Sequence, residues 1–451
     1  MTDRHADVFC LTDPQGRPLP PAVQATVLAK YSRSAESARE LLSKLSEEEA
    51  DKFQEKWVVS YGHNSVAELS SIAVCLEGIS IVASKVLESW QRPGYSEKST
   101  RYQVFSRSSF VTPPGAPATM KAFAARFYDT YDRLMGPTLK ICAEKMGKDP
   151  NDPKSLEDRL VKARAFDNLR YLLPAGTGTN VAVNAYARDL RDMVCHFRGS
   201  TNPELRMLGD KLHDAVSEVA PTLVKHTEAD SFEPYVRALG TISSRFNMQD
   251  PSWYVDIHKP HLMPEKALAQ KSFESSIGDR HGMSWSSFCK YMEGRAAWQE
   301  VPKIFKTLPI SFDIMMDYGA FRDLQRHRRC EQYVEPLTTN YGYLVPDDLV
   351  DSPLEDDYRD AMESIEAYDD DSVVHDTDLM QYMIPLGYLH RSVFQMDLRE
   401  LYYIVELRTK PQGHISYRRV AYEMFLRSKE HYPDAMQWCR AVRPDSIGEH
   451  R

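Results

Sequence analysis

Apolar positions along the chain fall into helical stripes separated by short β-prone runs. Near the start the spacing predicts short helices over 21–34 and 37–45. Ser46, with Glu49 three residues on, forms a capping box that starts a helix reaching Ser60, and Gly62 ends it. Ser71 to Leu76 is β-prone, and Ile79, Val82, Val86 and Leu87 then predict a helix from Ile81 to Gln91. Pro93-Gly94 stops that helix and releases an irregular loop carrying Ser99 and Arg101. Helices are expected over 118–147 and 154–169. Val183, Ala187, Leu190, Val194 and Phe197 then keep helical spacing over about 180–198, with Asn184, Arg188, Arg191 and Arg198 on a neighbouring face. Further on, Leu308 to Met316 reads as a strand and Gly319 to Arg329 as a helix. Residues 389–407 read as another amphipathic helix, with Phe394, Leu398, Leu401 and Val405 as its stripe.

The two halves of this pattern echo each other. Tyr171-Leu172-Leu173-Pro174-Ala175-Gly176 is answered by Tyr382-Met383-Ile384-Pro385-Leu386-Gly387, and each is followed by an amphipathic stretch ending in arginine, at Arg198 and at Arg408. A chain of 451 residues holds two ordinary cores. We therefore expect one duplicated unit, with a first copy over 1–235 and a second over 236–451. The segment 226–262, with Pro234, Pro251 and Pro260, is the expected connection, packed through Tyr235, Trp253 and Tyr254.

The net charge of -9 argues against nonspecific nucleic-acid binding, which needs a basic surface to displace counterions. Seven scattered cysteines without a C-x-x-C pair read as reduced thiols. The first residues, Asp3, Arg4, His5 and Asp7, do not read as a secretory signal, and Glu77 interrupts the longest apolar stretch, Ile72 to Val82. These features predict a soluble cytoplasmic protein that engages neither nucleic acid nor membrane. The acidic cluster of Asp347, Asp348, Asp351, Glu355, Asp356 and Asp357 reads as a solvated helix and loop rather than a metal site.

Three segments carry candidate chemistry. Arg326-His327-Arg328 sets two permanent cations around an imidazole at a helix end, where guanidiniums fork onto phosphate oxygens and the imidazole donates to or stacks on a planar ring. Glu97, Ser99 and Arg101 lie on the loop after Pro93-Gly94, where side chains and backbone N–H groups suit a phosphate or sugar. Tyr61-Gly62-His63-Asn64-Ser65-Val66-Ala67-Glu68 is a helix-to-strand turn with polar groups in reach of a ligand. Taken singly, each is also an ordinary basic helix end, loop or turn.

In this order the segments resemble the flavin-dependent thymidylate synthase family, over about 24–225 and again over about 262–440. The resemblance implies an α/β (α+β) fold, two tandem copies with helices packed on a central sheet. By it, His63, Ser65 and Glu68 help hold FAD, although Leu69 stands where a second histidine is usual. Glu97, Ser99, Arg101 and Tyr102 match the loop that binds the phosphate of deoxyuridylate. The first copy has Ser89-Trp90-Gln91 where the family has Arg-His-Arg, whereas the second keeps Arg326, His327 and Arg328 for FAD but has Val334-Glu335-Pro336-Leu337-Thr338-Thr339 for the loop. Asp323 or Gln325 replaces the family's substrate-binding glutamine. Arg188 and Arg399 match its flavin-contacting arginine. Arg198 and Arg408 match the arginine beside the pyrimidine, whose fixed cation stabilises charge developing on the ring; as plain residues they also suit helix ends and their dipoles.

Family sites lie between subunits, so the resemblance implies one complete site, assembled from Arg326 to Arg328 and Glu97 to Arg101, and one dead reciprocal site. A homodimer would imitate the family tetramer. The implied activity is FAD-dependent C5 methylation of a pyrimidine nucleotide, deoxyuridylate by default, with methylenetetrahydrofolate as carbon donor and NADPH as reductant. Reduced flavin, ring ionisation and arginine electrostatics take the place of thiol attack. Cys195-His196 is similar to the Cys-His pair of cysteine-dependent thymidylate synthases, but within an amphipathic helix it reads as a packed thiol. A nucleotide-binding or structural protein without turnover, and a flavoenzyme with other redox work or another pyrimidine nucleotide, are the alternative readings.

Overall fold

Each half builds a small antiparallel sheet, and in the first the central strand alternates buried and exposed side chains. The computed structural model describes residues 9–56, 64–100, 103–230, 254–258, 285–368 and 370–444. The first sheet holds β1 (Ser71–Ser80), β2 (Gly94–Glu97) and β3 (Gly178–Tyr186) in the order β1-β3-β2. The second holds β4 (Tyr254–His258), β5 (Pro309–Asp317), β6 (Glu331–Val334) and β7 (Leu389–Asp397) in the order β4-β5-β7-β6. β5, β7 and β6 thus repeat the arrangement of β1, β3 and β2, and β4, from the expected connection, adds an outer strand to the second sheet.

Both expected long helices are corrected here. The stretch over 180–198 is a strand followed by the helix Ala187–Gly199, and that over 389–407 is a strand followed by Leu398–Arg408. Val181, Val183 and Ala185 are buried at alternate positions of β3, a period-two pattern that the later stripe of Leu190, Val194 and Phe197 obscures. The first strand runs past Leu76 to Ser80, and the next helix is Ile81–Leu87, shorter than the expected run to Gln91. Ser80 caps it by accepting from the Ala83 N–H. In the second half Asp317 accepts from the Ala320 N–H, and the helix Tyr318–Leu324 ends before the Arg-His-Arg segment, which therefore sits in the following turn. Of the expected helix from Ser46 to Ser60, Glu47–Gln54 is present and 57–60 lie outside the described residues, as does Gly62.

The halves meet through the repeated turns at Leu173-Pro174 and Ile384-Pro385, and the contacts are reciprocal. The Gly176 N–H donates to Tyr382 O at 2.8 Å while Gly387 N–H donates to Tyr171 O at 3.0 Å; Ala175 N–H donates to Ile384 O and Leu386 N–H to Leu173 O, both at 2.9 Å. A Cβ at residue 176 would stand 2.9 Å from Tyr382 O and 2.5 Å from the Phe110 ring, so only glycine allows this approach. Each turn also sends a tyrosine into the other half. The Tyr382 hydroxyl donates to Glu204 at 2.7 Å, a carboxylate that also accepts from Ser80, and Tyr171 packs edge-on against His414 at 5.4 Å. The largest apolar core is continuous across this seam, joining Tyr128, Tyr131 and Leu172 to Tyr358, Ile384 and Leu401. A second core lies between the first sheet and the helices Ala187–Gly199 and Pro203–Val219.

Among the described residues no helix is long and apolar enough to cross a membrane. Replacing Tyr382 by Phe leaves buried Glu204 short of one donor, and should lower the urea-unfolding free energy by about 1–3 kcal/mol without changing the far-ultraviolet spectrum.

Candidate active site between the two copies

Glu97 closes β2 with its carboxylate buried, and it receives donors from both halves. From its own half Ser84 Oγ donates at 3.0 Å and Lys85 Nζ at 3.2 Å; from the other, Arg322 Nη2 donates at 2.9 Å and Arg326 Nη2 stands 3.6 Å away. Burial alone would raise the Glu97 pKa, but Arg322, Lys85 and Arg326 outweigh it and hold the carboxyl well below the usual glutamate range. Arg326 keeps 45% of its side chain exposed. Arg328 donates to Gln91 O at 3.4 Å and lies 5.3 Å from the Tyr95 ring centre. Glu88, Tyr95, Glu97, Arg326 and Arg328 line a small cavity of about 90 Å³. Lys85 with the three arginines outnumbers Glu88 and Glu97, so the local field favours an anion.

A second link lies behind this one. Arg170, buried just before the first Leu-Pro turn, places Nη1 3.3 Å and Nη2 3.4 Å from Asp323 of the second half. Burial opposes the Asp323 charge, yet Arg170, Arg326, Arg408 and His414 hold its pKa below the ordinary value. Arg408 Nε donates to His327 Nε2 at 2.8 Å, and His327 Nδ1 faces Glu400 at 3.4 Å. His327 is buried, and burial lowers its pKa first of all. The accepting Nε2 places the proton of the neutral ring on Nδ1. The imidazole expected to meet a ligand is thus turned inward, edge-on to Tyr403, where it holds Arg408. Gln325 is turned inward too, donating to Lys85 O at 2.7 Å.

The reciprocal position is differently filled. Trp90 stands where the second half has His327, and packs edge-on against His196 and Phe197 at 5.1 and 5.9 Å. Gln91 donates to Glu331, and the loop carboxylate Glu335 is tied to Arg391, which also grips Asp313. Arg198 is engaged by Asp210 at 2.8 Å and Thr227 O at 2.7 Å, within the first half. Arg188 joins Arg92 on Glu68, near exposed Ser65, and Arg399 donates to Val301 O and pairs with Glu300. The structure therefore gathers Glu97, Asp323, Arg326, Arg328 and Arg408, with Ser99 two residues past Glu97, and sets Ser65, Glu68, Arg188, Arg198 and Arg399 in other groups. His63, Arg101 and Tyr102 lie outside the described residues.

Two expectations change. Asp348 of the acidic cluster is buried and receives a two-pronged Arg164 and Asn168, so it is not solvated. The loop expected after Pro93-Gly94 begins as the edge strand β2. Cys195 donates to His226 O at 3.6 Å, and burial raises its pKa, the opposite of an activated thiol. Among the described residues no group of three or more His, Cys, Asp or Glu side chains could hold a metal ion. Arg170, Lys85 and Arg322 went unnoticed in the sequence. Lys85 and Arg322 occupy the same step of the repeat, and Arg170 precedes a repeated turn, which are signals that alignment of the two halves exposes.

Reciprocal turns and an ionic cluster shared by the two halves define a mixed α/β protein with two sheets of similar arrangement and a candidate site between the halves. The chain belongs to the family described as thymidylate synthase complementing protein, whose model matches residues 20–222 and 271–434. A UPF0159 protein of Chlamydia pneumoniae is 30% identical over 480 residues, 93% of this chain and 89% of that protein. A UPF0159 protein of Thermoplasma acidophilum is 25% identical over 91% of this chain and 93% of its own length. The flavin-dependent thymidylate synthase of Clostridium tetani is 29% identical over 47% of this chain and 83% of its own length. A solved Helicobacter pylori flavin-dependent thymidylate synthase, complexed with FAD and dUMP, aligns with 47% of this chain and 96% of its own, with 15% identity and a TM-score of 0.34.

Glu97→Gln should cost about 3–5 kcal/mol at neutral pH, because it strands buried cations. Since the folded-state pKa is depressed, that stabilisation is present above the ordinary value of 4.5 and is lost as pH falls toward the folded-state value. The stability gap between wild type and variant, followed by urea unfolding, should therefore narrow below about pH 4.5.

Proposed function

We propose that the chain is an FAD-dependent, methylenetetrahydrofolate-linked methyltransferase acting at C5 of a pyrimidine nucleotide, dUMP by default, with NADPH as reductant and one working site per chain. The observation that carries this reading is the meeting of Glu97 with Arg322 and Arg326 inside a single polypeptide. It brings the first copy's loop to the second copy's Arg-His-Arg segment, the combination that neither half holds alone.

The residues fit the cofactor's charge. Part-exposed Arg326, with Arg328 beside Tyr95, offers guanidinium donors suited to a phosphate group, and the Tyr95 ring offers a flat surface next to them. FAD, when bound, supplies the redox step. The remaining work falls to the chain. Glu97 fixes the angles of Arg322 and Arg326 before any ligand arrives, so little reorganisation is needed on binding. Arg408, steered by neutral His327, keeps a fixed cation near Asp323, suited to negative charge on a pyrimidine ring. Asp323 is one of the two residues, with Gln325, expected in place of the family's glutamine, and a carboxylate only accepts hydrogen bonds. That difference supports a second reading, in which the nucleotide is another uracil or cytosine derivative.

Flavin titration with absorbance detection tests the assignment. One FAD per chain is expected, and no binding, or two per chain, would overturn it. Arg326→Ala and Arg328→Ala should each weaken FAD by about 1.5–3 kcal/mol, while Ser89→Ala, at the matching place in the first half, should leave affinity unchanged. Thymidylate formation from dUMP, with FAD, NADPH and methylenetetrahydrofolate supplied, then separates the default substrate from its alternatives.

A further inference from the structure

The cavity shared by Glu88, Tyr95, Glu97, Arg326 and Arg328 encloses about 90 Å³. Sites that take a whole ring-bearing ligand run to about 300 Å³ and more, so this one suits a tetrahedral phosphate group and is too small for a base or an isoalloxazine. The walls decide how much charge that phosphate can carry. Arg328 has the Gln91 carbonyl and the Tyr95 ring as neighbours, and among the described residues no carboxylate pairs with it. Arg326 has Glu97 at 3.6 Å, a carboxylate that Ser84, Lys85 and Arg322 already supply with donors. Further out, Asp323 is taken by Arg170 and Asp189 by Arg92.

Glu88 is the wall group least compatible with a phosphate. It is 5% exposed, and its Oε2 accepts from Lys85 Nζ at 2.5 Å. Lys85 divides one positive charge between Glu88 and Glu97, so it does not cancel both. An ionised carboxylate only accepts hydrogen bonds; it repels a phosphate oxygen of full negative charge and welcomes one that carries a proton. The second half takes the same step differently. Gln325 precedes Arg326-His327-Arg328 as Glu88 precedes Ser89-Trp90-Gln91, and its amide donates to the Lys85 carbonyl at 2.7 Å. Both residues grip Lys85, but only Glu88 brings a charge to the cavity.

We infer that Glu88 is a specificity-determining residue, a charge filter that admits a singly charged phosphate of a dinucleotide's diphosphate and holds back a doubly charged phosphate monoester. The inference rests on the assignment of FAD to Arg326 and Arg328. Each phosphate in a diphosphate diester carries one charge, whereas a terminal monoester carries close to two at neutral pH. Beside Glu88 the two arginines neutralise the first, while the second leaves an excess facing the carboxylate.

Equilibrium binding of FAD and of FMN to the full chain at about pH 8, read by flavin fluorescence, tests the filter, the pH being chosen so that the FMN phosphate, with a second pKa of about 6, is doubly charged. Wild type should prefer FAD. Glu88→Gln, which leaves Lys85 its bond to Glu97, should shift the affinity ratio toward FMN by at least about fivefold, because a unit charge at contact range weighs more on the doubly charged phosphate. Wild type alone supplies a second measurement. Acidification to about pH 5.5 adds a proton to the FMN phosphate and should raise FMN affinity relative to FAD by at least about threefold, a rise that Glu88→Gln should abolish. Across this range Lys85, Arg322 and Arg326 hold Glu97 ionised, and burial keeps Tyr95 and Tyr318 neutral. No flavin binding would overturn the FAD assignment and the filter together. FAD bound at one per chain, with a ratio that Glu88→Gln leaves unchanged in a variant that unfolds like wild type, or that acid leaves unchanged in wild type, would overturn the filter alone.

Discussion

Reciprocal backbone hydrogen bonds across the turns at Pro174 and Pro385 decide which surfaces of the halves meet. Ala175 and Gly176 donate to Ile384 and Tyr382, while Leu386 and Gly387 donate to Leu173 and Tyr171. Buried backbone groups must be paired, so this ladder has one register. Once it is set, the end of β2 in one half faces the turn after Tyr318–Leu324 in the other, and the same relation holds in reverse. The pairing is symmetric; the side chains placed by it are not.

That asymmetry separates the two junctions chemically. At one, Glu97 accepts from Lys85 and Arg322 with Arg326 close by, while Arg170 meets Asp323. At the other, Trp90 has replaced an imidazole with a ring that only packs, and Arg391 is occupied by Asp313 and Glu335. Buried charges are costly unless matched, which explains why buried Lys85, Arg322 and Arg170 each have a carboxylate within reach. Arg326 is the member of that group whose side chain reaches furthest into solvent, at 45% exposure.

Part of this organisation was legible in the residues. The repeated Tyr-x-x-Pro-x-Gly turn marks the two segments that pair across the halves, the capping box at Ser46 fixed a real helix start, and the Arg-His-Arg and Glu-x-Ser segments are found close together. Strand β5 was legible, but β3 and β7 were not, because in the first half Val183, Ala187, Leu190 and Val194 satisfy a helical stripe while β3 and its helix divide them at Tyr186. The inward turn of His327 was also hidden. It depends on Arg408 and Glu400, more than seventy residues downstream, and a local motif cannot report a partner brought in by tertiary folding. Arg170 escaped for the same reason, since its carboxylate belongs to the other half.

Linking Glu97 and Arg326 in one polypeptide changes how the junction responds to dilution. Two separate subunits meet at a rate that falls with their concentration, whereas tethered halves see each other at a local concentration set by the chain itself. Every ribosome that completes this protein delivers both contributions in equal amount, and assembly of the shared cluster needs no second molecule.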